Sequence, residues 1–344
     1  MYPTQRPTLS PPAAILSGLL ILATFIGCGG DPAQNGPTET DAVAAPKWTI
    51  GFSQSNQGDA YRSLIADDLF AAAAEHPDML LVVRDAGGDA SAQASQLREM
   101  IGLGVDLIIV CPEDPMAVTP VVGQAMDADI PVVVLDRPVI GRQYTTLIAP
   151  DDEQLGEAVG HWLVEKLDGK GNLIELEGTV DSAESIARKK GFRRAIRDAD
   201  FDVMLSTVTD WKAQDAAEAM ESALAQFDSI DAVFGHDDVI AHAAYLEAKD
   251  AGRADSILFV GIGGLPEEGL KWVREGTLDA TLAQTSGGRL AVAIALQVLR
   301  GESVPQRITP TTRVYTPKNV ASGGEEIEKG EGTEKSEGAE KGQG

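Results

Sequence analysis

Cysteine is scarce in this chain, with two among 344 residues. Cys28 ends an apolar segment near the N-terminus, and Cys111 follows a short apolar run in the body of the chain. If Cys28 is modified, only one thiol remains and no intrachain disulfide can form. We interpret Cys111 as a small core residue at a strand end, with a catalytic thiol as the alternative.

Positive charge is also scarce, because 28 Lys and Arg residues face 53 Asp and Glu residues and leave a net charge of -25 at pH 7. Nucleic-acid binding is driven largely by Lys and Arg that neutralise phosphates. A chain of this charge repels a phosphate backbone. We therefore expect no nucleic-acid partner.

The motifs of common catalytic and cofactor sites are missing. The sequence has no GxxxxGK[ST], no HExxH and no GxSxG. "GIGGLPEEG" begins like a dinucleotide-binding fingerprint, but Pro266 takes the place of its third glycine. The histidines lack metal-ligand spacing, with a metal site at His236 beside Asp237 and Asp238 as the alternative. We expect a protein that is not an enzyme and that holds no cofactor or metal.

The longest apolar run lies near the N-terminus, from Ala13 to Gly27, after the positive Arg6. It is short for a membrane span and is typical of an export signal. "FIGC" resembles the lipobox of bacterial lipoproteins, which implies lipidation of Cys28. We therefore assign residues 1–28 to a lipoprotein signal peptide and 29–46 to a flexible tether. An ordinary secretory signal or an uncleaved anchor is the alternative.

At the other end, residues 323–344 are rich in Glu, Gly and Lys and almost without apolar side chains. Such a segment cannot bury enough apolar surface to fold, so we predict that it is disordered. The remaining chain is longer than one ordinary domain, which favours two lobes.

Between these ends, short apolar runs alternate with helical patterns. The predicted strands are "WTIGFS", "MLLVVRD", "DLIIVCP", "IPVVVLD", "TTLIAP", "GNLIELEG", "DVMLSTVT", "DAVFGHD", "SILFVGI" and "LDATLAQ". The predicted helices lie near 60–76, 91–103, 115–127, 153–168, 183–198, 212–226, 238–251 and 287–300. Wholly apolar strands that alternate with helices indicate parallel sheets covered on both faces. The sequence therefore predicts an α/β protein of two doubly wound parallel-sheet lobes.

Polar residues collect at the carboxyl ends of the predicted strands, where open α/β sheets bind ligands. Asp136 and Arg137 follow directly after "VVVL". Further polar positions of this kind are Ser55 to Arg62, Asp210, Trp211, His236 to Asp238, Gly263 and Gln284. A cleft between facing lobes would bring all of them together.

Six segments in order resemble the periplasmic sugar-binding proteins of ABC transporters, of the type I fold. They are "TIGFSQ" with "AYRS", "PVVVLDRP", "HWLVEKLDGKGNLIELEGTV", "ARKKGF", "FGHDD" and "ATLAQT", and they are most similar to ribose-binding and especially galactofuranose-binding members. The resemblance implies a three-segment hinge. It implies a first lobe of 47–151 plus 285–311 and a second lobe of 152–284 plus 312–322.

The resemblance also implies a ligand site. Asp136 and Arg137 would bind sugar hydroxyls from the first lobe, and Arg188 would do so from the second. The aromatic faces of Tyr61 and Trp211 would pack on the apolar faces of a sugar. The full predicted set is Ser55, Asp59, Tyr61, Arg62, Asp136, Arg137, Arg188, Trp211, Asp237 and Gln284.

Each main residue has an alternative that involves no ligand. Asp136 and Arg137 could form a local ion pair, which would contribute little. Trp211 could cap the core of its lobe. Arg188 could belong to the solvated basic face of its helix, beside other Lys and Arg residues.

Two positions depart from the family pattern. Asp237 stands where ribose and galactofuranose binders usually have Asn, and Gly263 stands where they have Asp. We hypothesise that Asp237 supplies the acceptor that position 263 lacks, while Gly263 leaves room for a larger or differently placed substituent. The alternative is a solvated Asp237 and a simple turn glycine.

The resemblance implies a monomeric, extracytoplasmic lipoprotein of the periplasm or cell envelope. It would capture a pentose, hexose or furanose and deliver it to an ABC permease, with a lipid as its only membrane contact. The alternative is a sensor of a sugar or another small solute that presents its closed form to a signalling receptor. A DNA-binding repressor shares the fold, but it would need a helix-turn-helix before Lys47, where this chain has an export signal.

Overall fold

A computed structural model of the protein describes residues 46–58 and 60–327 and, at Gln284, the backbone alone. The predictions for the signal peptide with Cys28, for nearly all of the tether, for Asp59 and for residues 328–344 lie outside this part. No helix within the described ranges is long and apolar enough to cross a membrane.

The first sheet has six strands, which all pair in parallel in the order β11-β5-β4-β3-β1-β2. Its strands are β1 Trp48–Gln54, β2 Met79–Asp85, β3 Leu107–Val110, β4 Val132–Leu135, β5 Thr146–Ile148 and β11 Arg307–Ile308. Its helices are α1 Ala60–Ala74, α2 Ala90–Leu103, α3 Pro115–Asp127 and α9 Gly288–Leu299. Helices α1 and α9 pack on one face, and α2 and α3 pack on the other. The centre of β3 and β4 is buried on both sides, which explains its unbroken apolar sequence.

The second sheet has seven strands in the order β13-β12-β10-β9-β8-β6-β7. Its strands are β6 Lys170–Glu177, β7 Asp200–Val208, β8 Ala232–Gly235, β9 Leu258–Gly263, β10 Ala280–Gln284, β12 Thr312–Tyr315 and β13 Glu325–Glu326. Its helices are α4 Asp152–Lys166, α5 Ala183–Ala195, α6 Ala213–Gln226, α7 Asp238–Asp250 and α8 Gly269–Glu275. Helices α4 and α5 cover one face, and α6 and α7 cover the other. The predicted fold class, with two sheets of mainly parallel strands, is confirmed.

The chain passes between the two sheets three times: after β5, between β10 and α9, and between β11 and β12. We call each sheet with its helices a lobe, and we propose that the lobe boundaries lie at these passages. Each passage is only a few residues long. Short connections of this kind are the usual hinge elements of two-lobed proteins.

The C-terminal part is more ordered than predicted. Helix α8 and strands β11, β12 and β13 had no predicted counterpart, and β13 lies inside the segment that was expected to be disordered from residue 323. That expectation is wrong for residues 323–327, because Val314 pairs with Glu325 across an antiparallel ladder and Ile327 N–H donates to Thr312 O at 2.9 Å. Backbone hydrogen bonds to an available sheet edge do not require apolar side chains.

Helices α4 and α5 approach each other closely enough that glycine is needed at the contact. A Cβ on Gly191 would overlap the backbone oxygen of Glu153, and a Cβ on Gly156 would overlap that of Arg188. A helix glycine is normally unfavourable relative to alanine. Here it allows the backbones to meet, and this contact places α5 relative to the start of α4.

We expect Gly191→Ala to lower the free energy of unfolding by about 1–3 kcal/mol, because the added methyl overpacks a backbone contact. Gly102→Ala is the matched control, since a Cβ there meets nothing within 4 Å. The control should be neutral or gain about 0.5–1 kcal/mol of helix stability. Urea unfolding of both variants measures the difference, and an equal effect would contradict the close α4–α5 contact.

Candidate ligand-binding site

A cavity of about 680 Å³ lies between the lobes, at the carboxyl ends of the strands. The first lobe contributes Gly58, Ala60, Tyr61 and Arg137; the second contributes Ser182, Glu184, Arg188, Trp211, Asp237, Asp238, Val239, Ile262, Gly263, Leu265 and Glu268. A second cavity of about 350 Å³ shares Arg137, Glu184 and Arg188 and reaches Asp136 and the first passage. The larger volume is within the usual range for small-molecule sites.

The structure brings most of the described predicted residues together. Tyr61, Arg137, Arg188, Trp211 and Asp237 line the larger cavity, and Asp136 lines the smaller one. Gln284 ends strand β10. Asp59 and the side chain of Gln284 lie outside the described part of the molecule.

Ser55 and Arg62 are buried and are not among the residues that line these two cavities. Ser55 is fully buried, and Arg62 is buried with its Nη1 3.3 Å from Glu113 Oε2. Asn56 Nδ2 donates to the same carboxylate oxygen at 3.0 Å. A buried guanidinium needs such a partner. Nη1 of Arg62 is thus engaged by Glu113, and contact of its guanidinium with a ligand stays a prediction.

Asp136 and Arg137 are presented by the end of β4. Asp136 has φ 70, in the left-handed region, and its N–H donates to Ile148 O at 2.8 Å. Arg137 Nη1 donates to the carbonyl of Glu113 at 3.2 Å. Among the described residues, the two side chains form no ion pair with each other. The local ion pair is therefore not what holds these charges at the strand end.

Burial affects the protonation of the acidic groups. It raises the pKa of Asp136 to about 6, although the charges of Arg137 and Arg62 act to lower it. Burial likewise raises the pKa of Asp237 to about 6, against the hydrogen bond from Ile240 N–H. These carboxyl groups are poorly solvated. Hydroxyl donors of a ligand would stabilise their ionised forms.

Arg188 is a buried arginine, not part of a solvated helix face. Its Nε donates to Asp152 Oδ1 at 2.9 Å, and its Nη1 donates to the carbonyl of His236. Its exposed fraction is 8%. Its Cζ lies 5.6 Å from the centre of the Trp211 ring, a cation–π distance. The arginine is therefore held in one orientation at the cavity.

Trp211 is held there by an unusual backbone. Asp210 and Trp211 have φ of 49 and 61, a conformation that non-glycine residues rarely adopt. A Cβ on Gly178 would overlap the indole ring, so glycine at that position makes room for it. Strained pairs of this kind persist where surrounding structure enforces them and are frequent at ligand sites. Trp211 also packs against the core of its lobe, so the core-cap alternative describes part of its role.

Three further acidic residues line the cavity: Asp238 was among the polar strand-end positions of the sequence but not in the predicted ligand set, and Glu184 and Glu268 were missed. Glu184 accepts a hydrogen bond from Ser182 Oγ at 3.0 Å, Asp238 accepts one from Gly264 N–H at 2.6 Å, and Glu268 completes the set. Glu184 and Glu268 follow the carboxyl ends of β6 and β9, which is the signal that could have found them. No group of three or more His, Cys, Asp or Glu side chains suited to a metal ion occurs in residues 46–58 and 60–327.

The two departures from the family pattern have a structural setting. Asp237 caps α7 by accepting from Ile240 N–H at 2.7 Å, so it is not simply solvated. Gly263 has φ 150, where glycine is favoured, and a Cβ there would lie 2.8 Å from Asp238 Oδ2. Part of the space beside Gly263 is thus occupied by the Asp238 carboxylate and is not open to a ligand. A Gly263→Asp change would meet both a strained backbone and a like charge.

Comparison with known proteins gives consistent results. A family model described as "Periplasmic binding protein domain" matches residues 50–303. The galactofuranose-binding protein of Escherichia coli K12 is 30% identical over 84% of this chain and 92% of its own, and the ribose import binding protein of Bacillus subtilis 168 is 29% identical over 88% and 99%. The fructose-binding periplasmic domain of a hybrid two-component system has a TM-score of 0.68 at 32% identity, over 80% of this chain and 92% of that one. These matches confirm the resemblance seen in the sequence, and the chain belongs to the periplasmic binding protein family.

Proposed function

We propose that this protein captures a monosaccharide in the cavity between its lobes and delivers it to an ABC permease. The observation that carries the proposal is that Arg137 of the first lobe and Arg188 of the second line the same cavity. A ligand that contacts both arginines stabilises the closed arrangement of the lobes. Closure is then a ligand-driven shift between two states of the hinge.

The chemistry of the walls suits a sugar. Two aromatic residues, Tyr61 and Trp211, offer flat apolar faces, while guanidinium and carboxyl groups surround them. Sugar rings combine apolar C–H faces with a rim of hydroxyls that both donate and accept. The carboxyl groups with raised pKa need donors, and the arginines need acceptors. Hydroxyl groups provide both, which supports a neutral pentose, hexose or furanose as the ligand.

A sensor role is the second candidate. The structural neighbour with a TM-score of 0.68 is a fructose-binding domain of a hybrid two-component system. In that role the same closed form would be presented to a signalling receptor and not to a permease. The binding step is identical in both, so the genes next to this one distinguish them.

The proposed location is outside the cytoplasm, where periplasmic binding proteins act. The signal-like N-terminus with Cys28 supports a lipid anchor as the only membrane contact. We further propose that the protein works as a monomer, because the cavity is formed by the two lobes of a single chain.

The first test is a thermal-shift screen with D-ribose, D-fructose, a methyl galactofuranoside and xylitol. A sugar at 100 times its dissociation constant should add about 2.7 kcal/mol of stability.

Arg137→Ala and Arg188→Ala should each weaken binding of that sugar by about 1.5–3 kcal/mol in calorimetry, because each removes a charged hydrogen-bond donor. Thr146→Val is the control, since Thr146 Oγ1 donates to Pro305 O at 2.7 Å, at the amino end of β5. Full affinity in both arginine variants would remove them from the site.

Binding should also depend on pH. Hydroxyl donors of a sugar favour the ionised form of a carboxyl group. The pKa of Asp237 is raised to about 6, so protonation of this group should weaken sugar binding at pH values above the usual pKa range of Asp. We expect affinity to fall by about tenfold per carboxylate between pH 7 and pH 5, and Asp237→Asn should flatten this fall. Asp279→Asn, at a carboxyl buried away from the cavity, should leave the pH profile as in the wild type. A wild-type affinity that is constant over this range would contradict the role of Asp237.

The anchor is tested separately. Cys28→Ser should lose labelling by a fatty-acid probe and should no longer be retained in the membrane fraction. It should keep the affinity of the wild type for the sugar, because addressing and recognition use different segments. A wild-type protein without lipid would show that the lipobox interpretation is wrong.

A further inference from the structure

A polar network centred on two fully buried side chains lies beneath the cavity, in the core of the second lobe. Glu175 of β6 and His236 at the end of β8 are both fully buried, and Oε1 of Glu175 lies 3.3 Å from Nε2 of His236. The other carboxylate oxygen of Glu175 accepts from Arg193 Nη2 at 2.6 Å and from Ser206 Oγ at 3.0 Å. The carboxylate is therefore bonded on both sides and joins β6, β7, β8 and α5.

The hydrogen bonds define the roles of the two ring nitrogens of His236. The backbone N–H of Gly178 donates to Nδ1 at 3.3 Å, so Nδ1 is an acceptor. The ring proton is then on Nε2, from which it is donated to Glu175. Ser185 Oγ is also 3.1 Å from Nδ1. His236 is thus held in a fixed ring orientation by three residues, Gly178, Ser185 and Glu175.

The order Ser185, His236, Glu175 resembles a catalytic triad, but its position argues against catalysis. Ser185 is 3% exposed and His236 is fully buried, so no substrate carbonyl can reach the hydroxyl. A buried, bonded carboxylate is costly to retain, and replacing such a group with apolar residues often stabilises a protein. The network therefore needs a role other than nucleophilic chemistry or stability alone.

The network leads to the cavity through the backbone of His236. Its carbonyl accepts from Arg188 Nη1, and the next residue is Asp237, whose carboxyl lines the cavity. Ser185 lies one turn before Arg188 on α5 and contacts the ring of His236. The network therefore contacts both the helix that carries the donor, Arg188, and the residue that carries the acceptor, His236. A shift of the imidazole would move the carbonyl and change the direction of the guanidinium.

We infer that Glu175 and His236 are positioning residues that orient Arg188 towards the ligand. The inference rests on the proposed function, because it concerns the affinity for the same sugar. Neither residue touches the ligand. Their effect on binding passes through the guanidinium of Arg188 and disappears when that guanidinium is absent.

A double-mutant cycle on the full-length protein in detergent tests this role. His236→Asn keeps an acceptor near Nδ1 but cannot reach Glu175, and the probe is the sugar of the panel above with the largest thermal shift. We expect His236→Asn to weaken its affinity about tenfold in the wild-type background and less than about twofold in the Arg188→Ala background. The same fold-loss in both backgrounds, or no loss in the wild type, would overturn the inference and leave the proposed function intact.

Two further variants guard against a loss of folding. Glu175→Gln keeps the volume of the side chain while it removes the charge. Its loss of affinity for the sugar should likewise be larger with Arg188 present than in the Arg188→Ala background. Thr146→Val removes a buried hydrogen bond of the first lobe and should lower the melting temperature without changing affinity in either background. If no sugar of the panel binds the wild type, the proposed function fails and this inference fails with it.

Discussion

The ion pair between Arg188 and Asp152 is the interaction on which the cavity depends. A guanidinium that leaves water needs anionic or carbonyl partners, and Arg188 has Asp152 at 2.9 Å and the carbonyl of His236. Asp152 begins α4 directly after the first passage between the lobes, and His236 directly follows β8. The side chain of Arg188, on α5, therefore links the first passage between the lobes to the strand end that supplies Asp237. Any ligand contact to Arg188 acts on this same junction.

The helix contact behind Arg188 is set by shape more than by charge. Gly156 of α4 lies against the carbonyl of Arg188, so the backbone of the arginine is fixed by the approach of the two helices. Ion pairs surround this contact, such as Arg194 with Glu157 at 2.6 Å. Partly exposed pairs of this kind contribute little on their own. The glycine contact therefore determines the backbone position of Arg188. The buried network determines the direction of its guanidinium.

The sequence predicted most strands of the two sheets and several cavity residues, because both depend on local patterns. Unbroken apolar runs such as "LIIV" and "VVVL" occur only where a strand is covered on both faces, and residues just after them fall at the ligand edge. Strands β12 and β13 were missed, since these short strands at one end of the sheet order form through antiparallel backbone pairing and their side chains show no apolar period. The ion pair of Arg62 was not predictable for a related reason, because its partner Glu113 lies on another segment of the chain.

The pair of departures at positions 237 and 263 shows the limit of a comparison made one position at a time. Gly263 lacks a carboxylate, yet the Asp238 carboxylate lies where a side chain of residue 263 would begin, and it is bonded to Gly264 N–H. Burial raises the pKa of Asp238 to about 7, so this group holds its proton more readily than an exposed Asp. An acidic group is thus still present at the end of β9, but it comes from α7. Because the space is shared between two segments that are distant in sequence, the acidity of this edge is a property of their contact and not of either residue alone.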